Sequence, residues 1–390
     1  DGNHLEESGG DGGMKWEKKK LCECTEYITD GDHQPAPKAD KGVHFIKIKD
    51  IVNNQVSFDA QVYVPQEYYD NLPMERKPQK EDVLYTIVGS FGIPSYVQTD
   101  ELFCFERNIA LLHPNKDIEP RFLYYSLKNP AFYKGVEIVA NGSAQKLIPL
   151  SKLKDLKILV PDKEAQRHIA DILSAYDDLI ENNQRQIKLL EEAAQRLYKE
   201  WFVDLNFPGH ENTKIVDGVP EGWSRGLLKE LISVNYGKDH KKAPDDGNIP
   251  VYGSGGLMRK CNKSLFSGEA VLIPRKGSLN NIMYVDETFW TVDTMFYATM
   301  KQPHTAVFVY FFVKAFDMYS MNIGAAVPSM TTKILDAMDV VIPDKETLEK
   351  FDKLTKTYFN KIKTLQGQNE RLKIARDLLL PKLMSGEVEV

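Results

Sequence analysis

The stretch NGSAQKLIPLSKLKDLKILVPDKE, from Asn141 to Glu164, decides the architecture because it occurs twice. Its second copy, IGAAVPSMTTKILDAMDVVIPDKE, runs from Ile323 to Glu346 and aligns without a gap at an offset of 182 residues. Both copies end on Pro-Asp-Lys-Glu, and the same offset then places Tyr176 over Tyr358. Such self-similarity indicates a duplicated structural unit.

Two weaker similarities between the halves lie upstream of these copies. EDVLYTIVGSFG, from Glu81, resembles EAVLIPRKGSLN, from Glu269, at an offset of 188, and Trp16 resembles Trp223 at an offset of 207. A changing offset indicates loops of different length on a shared scaffold. Each half is therefore predicted to be a globular domain of about 120 to 145 residues followed by one long helix.

Each half ends in a segment whose seam residues alternate in steps of four and three, as in a coiled coil. The first seam comprises Ile169, Leu173, Tyr176, Ile180, Asn183, Ile187, Leu190, Ala194, Leu197 and Trp201. The second comprises Phe351, Thr355, Tyr358, Ile362, Leu365, Asn369, Leu372, Arg376, Leu379 and Leu383. A helix of about 40 residues is roughly 60 Å long, and we expect the two to pack on each other because neither would be stable with its stripe exposed.

The residues alone leave the orientation of these helices open. Antiparallel packing would place the two domains at opposite ends of one rod, about a pseudo-twofold axis, whereas parallel packing would place them side by side. Asn183 and Asn369 interrupt the two seams. A seam Asn typically fixes register at some cost in stability, and the alternative is that both residues face solvent.

The globular parts consist mainly of short runs that alternate apolar and polar residues and are bounded by Gly, Pro, Asn and Asp, which predicts β-strands. Examples are VHFIKIKDI, from Val43, and TFWTVDTMFYATM, from Thr288. One helix per domain is predicted, within EPRFLYYSLKNPAFYKG from Glu119 and TAVFVYFFVKAFDMY from Thr305. This mixture indicates the α+β class.

Composition indicates a globular protein and excludes a membrane segment. Hydrophobic residues make up 42% of the chain and charged residues 27%, which is ordinary for a protein with sizeable cores. No window approaches about 18 consecutive apolar residues and no signal-peptide pattern opens the chain, so the cytoplasm is the expected location. The four cysteines are scattered and favour incidental thiols in a reducing compartment over a metal site.

Residues 1–13, DGNHLEESGGDGG, are expected to be an expression remnant or a disordered extension, with Met14 as the natural start. This leader holds four acidic residues and no Lys or Arg, so the net charge of −6 becomes about −2 without it. DNA-binding domains are usually basic. DNA binding by this chain would therefore require basic residues to be concentrated locally.

ADILSAYDDLIENNQRQIKLLEEAAQRLYKEWFVD, from Ala170 to Asp204, closely resembles the central conserved region of type I restriction specificity subunits. The ending ARDLLLPKLMSGEVEV, from Ala375, resembles their conserved C-terminal region, and the resemblance extends over the whole chain after Met14. The family commonly shows Pro-Pro-Leu-x-Glu-Gln at the entry to the first helix. This chain has PDKEAQ from Pro161, and the second copy has Leu348 at the Gln position, which puts only the domain–helix junction in doubt.

The resemblance implies a subunit without chemistry of its own. It implies a complex with two adenine methyltransferase subunits and, in the restriction form, two translocating endonuclease subunits. S-adenosylmethionine, ATP and Mg²⁺ are then expected in the partner subunits, and no cofactor or metal in this chain. Each recognition domain is expected to read one half of a split, asymmetric double-stranded DNA target. The paired helices would fix the unread spacer and dock the methyltransferase subunits, with the two readers roughly 34 Å, one helical turn, apart.

We therefore predict an α+β chain of two repeated target recognition domains, each followed by a long conserved helix, with the helices packed as an antiparallel coiled coil of pseudo-twofold symmetry. The predicted boundaries are 1–13 for the leader, 14–160 for recognition domain 1, 161–203 for the central conserved helix, 204–220 for the linker, 221–343 for recognition domain 2 and 344–386 for the C-terminal conserved helix.

The candidate DNA-binding residues are basic and polar side chains in loops that flank the predicted strands. Arg and Lys pair with phosphates or guanine, and Asn or Gln can read adenine. The candidates are His33, Gln34, Lys38, Lys41, Lys47, Ser90, Gln145 and Lys146 in domain 1, and His240, Lys241, Lys242, Arg275, Lys276, Ser278, Asn280 and Asn281 in domain 2. Arg275 and Lys276 are the strongest pair, because they precede a Gly-Ser turn equivalent to Gly89-Ser90. The alternative for each residue is a solvated loop position.

Two other function classes are alternatives for this sequence. A protein-interaction scaffold would use the coiled coil without sequence-selective DNA binding. An autonomous methyltransferase is suggested only by Asn129-Pro130-Ala131-Phe132, which lacks the second proline of the amino-methyltransferase motif and has no Gly-rich turn after a strand upstream. A helix end followed by proline is the ordinary explanation of that sequence, and no G-x-x-x-x-G-K-[ST] sequence indicates an ATP-driven motor.

Overall fold

A computed structural model of the chain describes residues 15–140, 146–321 and 329–390, apart from the side chain of Lys242. The leader and Met14 lie outside the described residues. The chain divides into two compact units, of which unit 1 comprises Asp1–Asn182 and Gln368–Val390 and unit 2 comprises Asn183–Gly367. Each long helix contributes one part to each unit.

The first recognition domain alternates short strands with short helices. Its strands are β1 (Glu17–Lys20), β2 (Thr25–Asp30), β3 (Val43–Ile46), β4 (Ile51–Val52), β5 (Gln55–Val56), β6 (Tyr63–Val64), β7 (Val83–Thr86), β8 (Pro94–Tyr96), β9 (Phe103–Phe105), β10 (Ile109–Pro114) and β11 (Lys157–Val160). Its helices are α1 (Leu21–Cys24), α2 (Gln66–Asp70), α3 (Pro120–Lys128), α4 (Pro130–Val139) and α5 (Leu150–Asp155).

A four-stranded sheet in the order β2-β10-β7-β8 forms the centre of unit 1, beside a three-stranded sheet in the order β6-β3-β9. Strand β7 is buried on both faces, because Val83 and Tyr85 face one apolar cluster while Leu84 faces another. The first of these clusters includes Phe122 of α3 and Leu383 near the end of the chain. Burial on both faces explains why β7 reads as a continuous apolar run.

The second recognition domain and the segment before it contain the remaining shorter elements. Their strands are β12 (Ile215–Val216), β13 (Val219–Pro220), β14 (Ser224–Leu227), β15 (Ile232–Tyr236), β16 (Ile249–Gly253), β17 (Gly256–Cys261), β18 (Phe266–Pro274), β19 (Met283–Thr291), β20 (Met295–Met300) and β21 (Asp339–Ile342). The long helices are α6 (Lys163–Tyr198), which precedes these strands, and α9 (Lys345–Ser385), which follows them; the shorter helices between are α7 (Ala306–Lys314) and α8 (Thr332–Asp336).

The two domains share one scaffold. The central sheet of unit 2 has the order β15-β20-β18-β19-β16-β17, so its first four strands repeat the order β2-β10-β7-β8 of unit 1. The strand that opens each domain pairs antiparallel with the strand that closes it, β1 with β11 and β14 with β21. The duplication predicted from the sequence is therefore confirmed, and the domains differ mainly in the segment between the first and third of these strands, residues 31–82 and 237–265.

The repeated Pro-Asp-Lys-Glu sequence is the start signal of both long helices. Asp162 and Asp344 each lie one residue before the helix begins, and the Ala165 and Thr347 N–H groups donate to their Oδ1 atoms at 2.9 and 3.0 Å. Such a carboxylate satisfies an amide that the first turn leaves unpaired. Helix α6 then continues into a π-helical turn, Lys199–Val203.

The long helices run antiparallel within unit 1. Asp177 of α6 forms an ion pair with Arg376 of α9, whereas Ile180, further along α6, accepts a hydrogen bond through its carbonyl oxygen from Nδ2 of Asn369, which lies earlier in α9, at 3.4 Å. In unit 2 the end of α6 meets the start of α9, where the rings of Phe202 and Phe351 are 4.8 Å apart. The predicted antiparallel packing is therefore confirmed in each unit described by itself.

The predicted seam positions are all buried or half-buried. Asn183 and Asn369 are 7% and 5% exposed, so neither faces solvent as the alternative would have it. Asn369 donates to the Ile180 carbonyl oxygen, which gives its amide a polar partner at this point of the seam. A buried amide of this kind favours one register because any slip would leave it without its partner.

One predicted helix is wrong in detail. The single helix expected within EPRFLYYSLKNPAFYKG is two helices, α3 and α4, which are separated at Asn129. Pro130 disfavours a helical conformation at Asn129, and the Asn129 side chain accepts a hydrogen bond from the Ala131 N–H at 3.0 Å. The Asn-Pro sequence that resembles a methyltransferase motif is thus the N-terminal cap of α4.

Candidate nucleic-acid interface

A Gly-Ser loop follows the third strand of each central sheet and occupies the same place in the two scaffolds. Ile148 donates its N–H to the Ile87 carbonyl oxygen at 2.9 Å, and Met330 does the same to Arg275 at 2.9 Å. Gly89 and Gly277 adopt φ values of 71° and 83°, a conformation that favours glycine. The Gly-Ser alignment made from the sequence is therefore a structural equivalence.

In unit 1 this loop carries aromatic rings and one cation. The rings of Phe91 and Tyr133 are stacked with centroids 5.9 Å apart, and Nζ of Lys146 lies 5.6 Å from the centre of the Phe91 ring. Gly89 donates its N–H to the Lys146 carbonyl oxygen at 3.2 Å. The structure thus brings together Lys146 and the exposed Ser90, which the sequence had placed on separate loops.

In unit 2 the equivalent loop is basic. The guanidinium of Arg275 lies 5.6 Å from the centre of the Tyr236 ring, and its Nη1 donates to the Asp293 carbonyl oxygen at 3.2 Å. These contacts hold the cation over an exposed aromatic ring. Lys276 and Ser278 are exposed, so the loop presents charge and hydroxyl groups outward.

The amides of Asn280 and Asn281 are already engaged within unit 2. Nδ2 of Asn280 donates to Oδ1 of Asp317 at 2.9 Å, while its Oδ1 accepts from the Met318 N–H at 2.8 Å. Nδ2 of Asn281 donates to the Ser254 carbonyl oxygen at 2.9 Å. These bonds give both side chains a role in shaping the loop, and each Nδ2 keeps a second N–H that they do not use.

The turn at His240 and Lys241 is held by a residue that the sequence reasoning missed. Arg259, on β17, donates to the carbonyl oxygens of His240 and, at 2.7 Å, Ala243, and pairs with Asp245. Lys241 is exposed, and the side chain of the neighbouring candidate Lys242 lies outside the described residues. Only a contact between distant parts of the chain reveals the role of Arg259.

In unit 1, His33 and Gln34 lie in a loop that is organised by carboxylates. Nε2 of His33 is 3.1 Å from Oδ2 of Asp30, and Asp32 accepts hydrogen bonds from the Gln34 N–H at 3.2 Å and the Tyr68 hydroxyl at 3.1 Å. Burial acts to raise the pKa of Asp32, but these bonds outweigh it and hold the pKa below its ordinary value. The local charge around His33 is therefore partly acidic.

The remaining candidates are placed as follows. Lys38 and Lys41 are exposed between β2 and β3, and Lys47 is half-buried just after β3. Gln145 lies outside the described residues.

The described residues offer no metal centre. Among them, no group of three or more His, Cys, Asp or Glu side chains could hold a metal ion. Cys24 and Cys104 are buried, and burial raises the pKa of each thiol to about 12, which disfavours the thiolate needed for metal binding or nucleophilic attack. Among the helices of the described residues, none combines the length and the apolar character that a membrane span requires.

A two-domain α+β scaffold with two antiparallel long helices is the architecture of a protein that presents two related surfaces. The family model for the type I restriction modification DNA specificity domain matches residues 14–192 and 220–373. These matches cover most of the chain, so it belongs to this family and carries its domain twice. The resemblance inferred from the conserved helices is thereby confirmed.

Known relatives and one solved structure agree with this assignment. The MjaIX specificity subunit of Methanocaldococcus jannaschii is 26% identical over 73% of this chain and 72% of its own length. The HindI specificity subunit of Haemophilus influenzae is 23% identical over 89% of this chain and 94% of its own. The crystal structure of the type I restriction-modification S subunit from M. genitalium has a TM-score of 0.63 over 96% of this chain and 97% of that one, at 19% identity, which shows a shared fold.

Proposed function

We propose that each recognition domain of this type I specificity subunit reads one half of a split DNA target. The observation that carries the proposal is the pair of equivalent Gly-Ser loops. They are tied to the same place in the scaffold, yet domain 1 has Ile87 and Val88 where domain 2 has Arg275 and Lys276. Ile87 is buried in the core of unit 1, so the first loop presents no counterpart of the basic pair, and Arg or Lys can pair with guanine in the second; two unlike half-sites follow.

The long helices are proposed to set the unread spacer and to dock two methyltransferase subunits and, in the restriction form, two translocating endonuclease subunits. Several large apolar side chains remain exposed along these helices in a structure that holds the chain alone. They are Ile172, Leu179 and Leu189 on α6 and Leu354, Ile374 and Leu378 on α9, between 36% and 65% exposed. Burying such side chains against a partner would contribute about 1.5 to 3 kcal/mol for each one fully covered.

No catalytic role is proposed for this chain. The methyltransferase subunits would bind S-adenosylmethionine, and the endonuclease subunits would bind ATP and Mg²⁺. The chain would contribute the choice of DNA sequence and the position of the partner on it, and we expect it to work in the cytoplasm, where its DNA target lies.

Methylation-sensitive single-molecule sequencing tests this proposal. DNA would be taken from cells that express the partner methyltransferase with this chain, and from matched cells without it. We expect methyl-adenine only in the presence of the chain, at a two-part motif with a fixed gap. If an active partner leaves the same marks without the chain, or if no split motif is methylated with it, the chain does not select the sequence and a scaffold role takes its place.

A further inference from the structure

The hairpin β16–β17 lies at the point where the two recognition domains differ. It is inserted between β15 and β18 of unit 2, and β16 joins the sheet through parallel pairing with β19. The corresponding segment of domain 1, residues 31–82, has a similar arrangement, because β3 pairs antiparallel with β6 and parallel with β9, but residues 47–62 join β3 to β6 in place of a two-residue turn. The tight hairpin is therefore what differs at this position, and it is suited to a property that distinguishes the two domains, such as the bases that each one reads.

The tip of this hairpin exposes two adjacent apolar side chains. Leu257 and Met258 are 58% and 55% exposed, and the turn between the strands is the two-residue loop Ser254-Gly255. The strand register shifts beside Met258, which forms a β-bulge, a device that re-aims a side chain. Nothing lies within 4 Å of a Cβ built on Gly255, so the turn projects into open space.

The hairpin is continuous with the basic Gly-Ser loop. A Cβ on Gly277 would come within 2.6 Å of Oγ of Ser254, and the Ser254 carbonyl oxygen accepts a hydrogen bond from Asn281. On the other strand of the hairpin, Arg259 donates a hydrogen bond to the His240 carbonyl oxygen. The hairpin is therefore held between two segments that carry Arg and Lys.

This combination fits DNA better than a protein partner. Paired strands lie about 4.8 Å apart, and the major groove is about 12 Å wide and admits a two-stranded β-ribbon. Cations at the base of a ribbon can bind phosphates on either side of the groove. Leucine and methionine at its tip would then meet base edges, where the apolar group available in the major groove is the thymine methyl.

We propose that the β16–β17 hairpin is a base-reading element of domain 2, in which Leu257 and Met258 contact thymine methyl groups in the half-site that this domain reads. The proposal rests on the proposed function, since it assumes that domain 2 reads DNA. It adds specificity residues outside the polar loop candidates. It also assigns them a contact that carries no charge.

The test uses the chain assembled with its methyltransferase subunit, in the parent form and as Leu257→Ala and Met258→Ala. The matched control is Ile215→Ala, because Ile215 is 57% exposed on another hairpin, β12–β13. The measurements are the methylated motif by sequencing, the affinity for the motif at several salt concentrations, and the recovery of the assembled complex. Two separate variants guard against one of them failing to fold.

We expect each hairpin variant to relax the preference for an A·T pair at one position of one half-site by about tenfold, the scale of a lost base contact. The other half-site should stay unchanged. The slope of log affinity against log salt should also stay unchanged, because an apolar contact releases no counterion. Ile215→Ala should match the parent.

Three results would overturn the proposal. If both hairpin variants methylate the same motif as the parent, the tip does not read bases. Loss of the assembled complex in the hairpin variants would make the tip a docking site for a protein subunit instead. A lower salt slope in a hairpin variant would mean that the substitution has displaced a loop and removed a phosphate contact. If the parent complex itself methylates no split motif, the proposed function is wrong. Failure of the proposed function can therefore be distinguished from failure of the hairpin proposal, in which the parent motif is present.

Discussion

Equivalent residues of the two domains make the same contact but lie in different surroundings. Nζ of Lys128 donates to the Tyr124 hydroxyl at 3.3 Å on α3, and Nζ of Lys314 donates to the Tyr310 hydroxyl at 2.8 Å on α7. Lys314 is exposed, whereas Lys128 is largely buried beside Asp177. Burial lowers the pKa of Lys128, and the nearby carboxylate only partly offsets this.

Asp177 is the centre of a polar network that links recognition domain 1 to the long helices within unit 1. It accepts a hydrogen bond from the buried Tyr125 hydroxyl at 2.8 Å and forms ion pairs with Lys128 and Arg376. Only 13% of the Arg376 side chain is exposed. A charge that is shielded to this degree is costly to leave without its partner.

We predict that Arg376→Ala lowers the free energy of unfolding by about 3 kcal/mol, because it leaves Asp177 incompletely paired in a half-buried site. Chemical denaturation of the chain measures this change. Lys373→Ala is the control, since Lys373 pairs with Glu370 at 3.3 Å on the exposed surface of the same helix, and such pairs contribute at most about 1 kcal/mol. Equal losses in the two variants would contradict a structural role for the network.

The start of the long helix α9 is fixed by a polar cap. Asp344 accepts hydrogen bonds from the Thr347 N–H and hydroxyl, and from Nε1 of Trp223 at 2.8 Å. The cap therefore joins the start of α9 to the opening of recognition domain 2. Burial acts to raise the pKa of Asp344, but these donors outweigh it and hold the pKa below its ordinary value of 3.8.

We predict that Asp344→Ala costs about 1 kcal/mol of stability near neutral pH, the usual effect of losing an N-terminal cap. Because the pKa is lower in the folded state than in the unfolded state, this contribution is fully present above the ordinary value of 3.8 and is lost as the pH falls through the lowered pKa. Stability measured from pH 6 down to about pH 2 should therefore converge for parent and variant at the acid end. Glu349→Gln, at an exposed position of the same helix, is the control and should track the parent. A constant difference at every pH would show that the carboxylate charge does not matter.

At the scale of the whole molecule, the net charge does not favour DNA binding, so binding would have to depend on local groups of cations. The chain carries a net charge of −6, so it has no overall attraction for DNA, and binding would depend on where its cations are presented. In unit 2 the exposed Lys276 lies on the Gly-Ser loop, and Arg275 beside it is held over an aromatic ring. This arrangement suits contacts to phosphates and bases at one place on the surface.

We predict that Lys276→Ala weakens DNA binding by the assembled complex about equally for cognate and non-cognate DNA, and lowers the salt slope by about 0.9, the value of one phosphate contact. Titrations at several salt concentrations measure both quantities. Lys214→Ala, at an exposed position before β12, is the control. A changed motif with an unchanged slope would instead make Lys276 a base reader.

The candidate site could be predicted only in part. Arg275 and Lys276 are candidates because they align with a Gly-Ser turn in the other domain, and Lys146 is one because its loop lies just before the long helix. Leu257 and Met258 gave no local signal, since exposed and buried apolar residues look alike in a strand. Arg259 likewise reads as an ordinary strand residue until its contact with His240 is seen.

The sequence was enough to establish the duplication and the two long helices, because the repeat is visible in an alignment of the two halves and heptad spacing acts between residues a few positions apart. The folded chain alone settled that the helices run antiparallel, that Asn129 divides α3 from α4, and that the β16–β17 hairpin lies against the Gly-Ser loop. The orientation and the hairpin contact join residues far apart in the chain. They depend on strand order and on which buried groups find partners, and the break at Asn129 depends on a cap that the apolar pattern does not reveal.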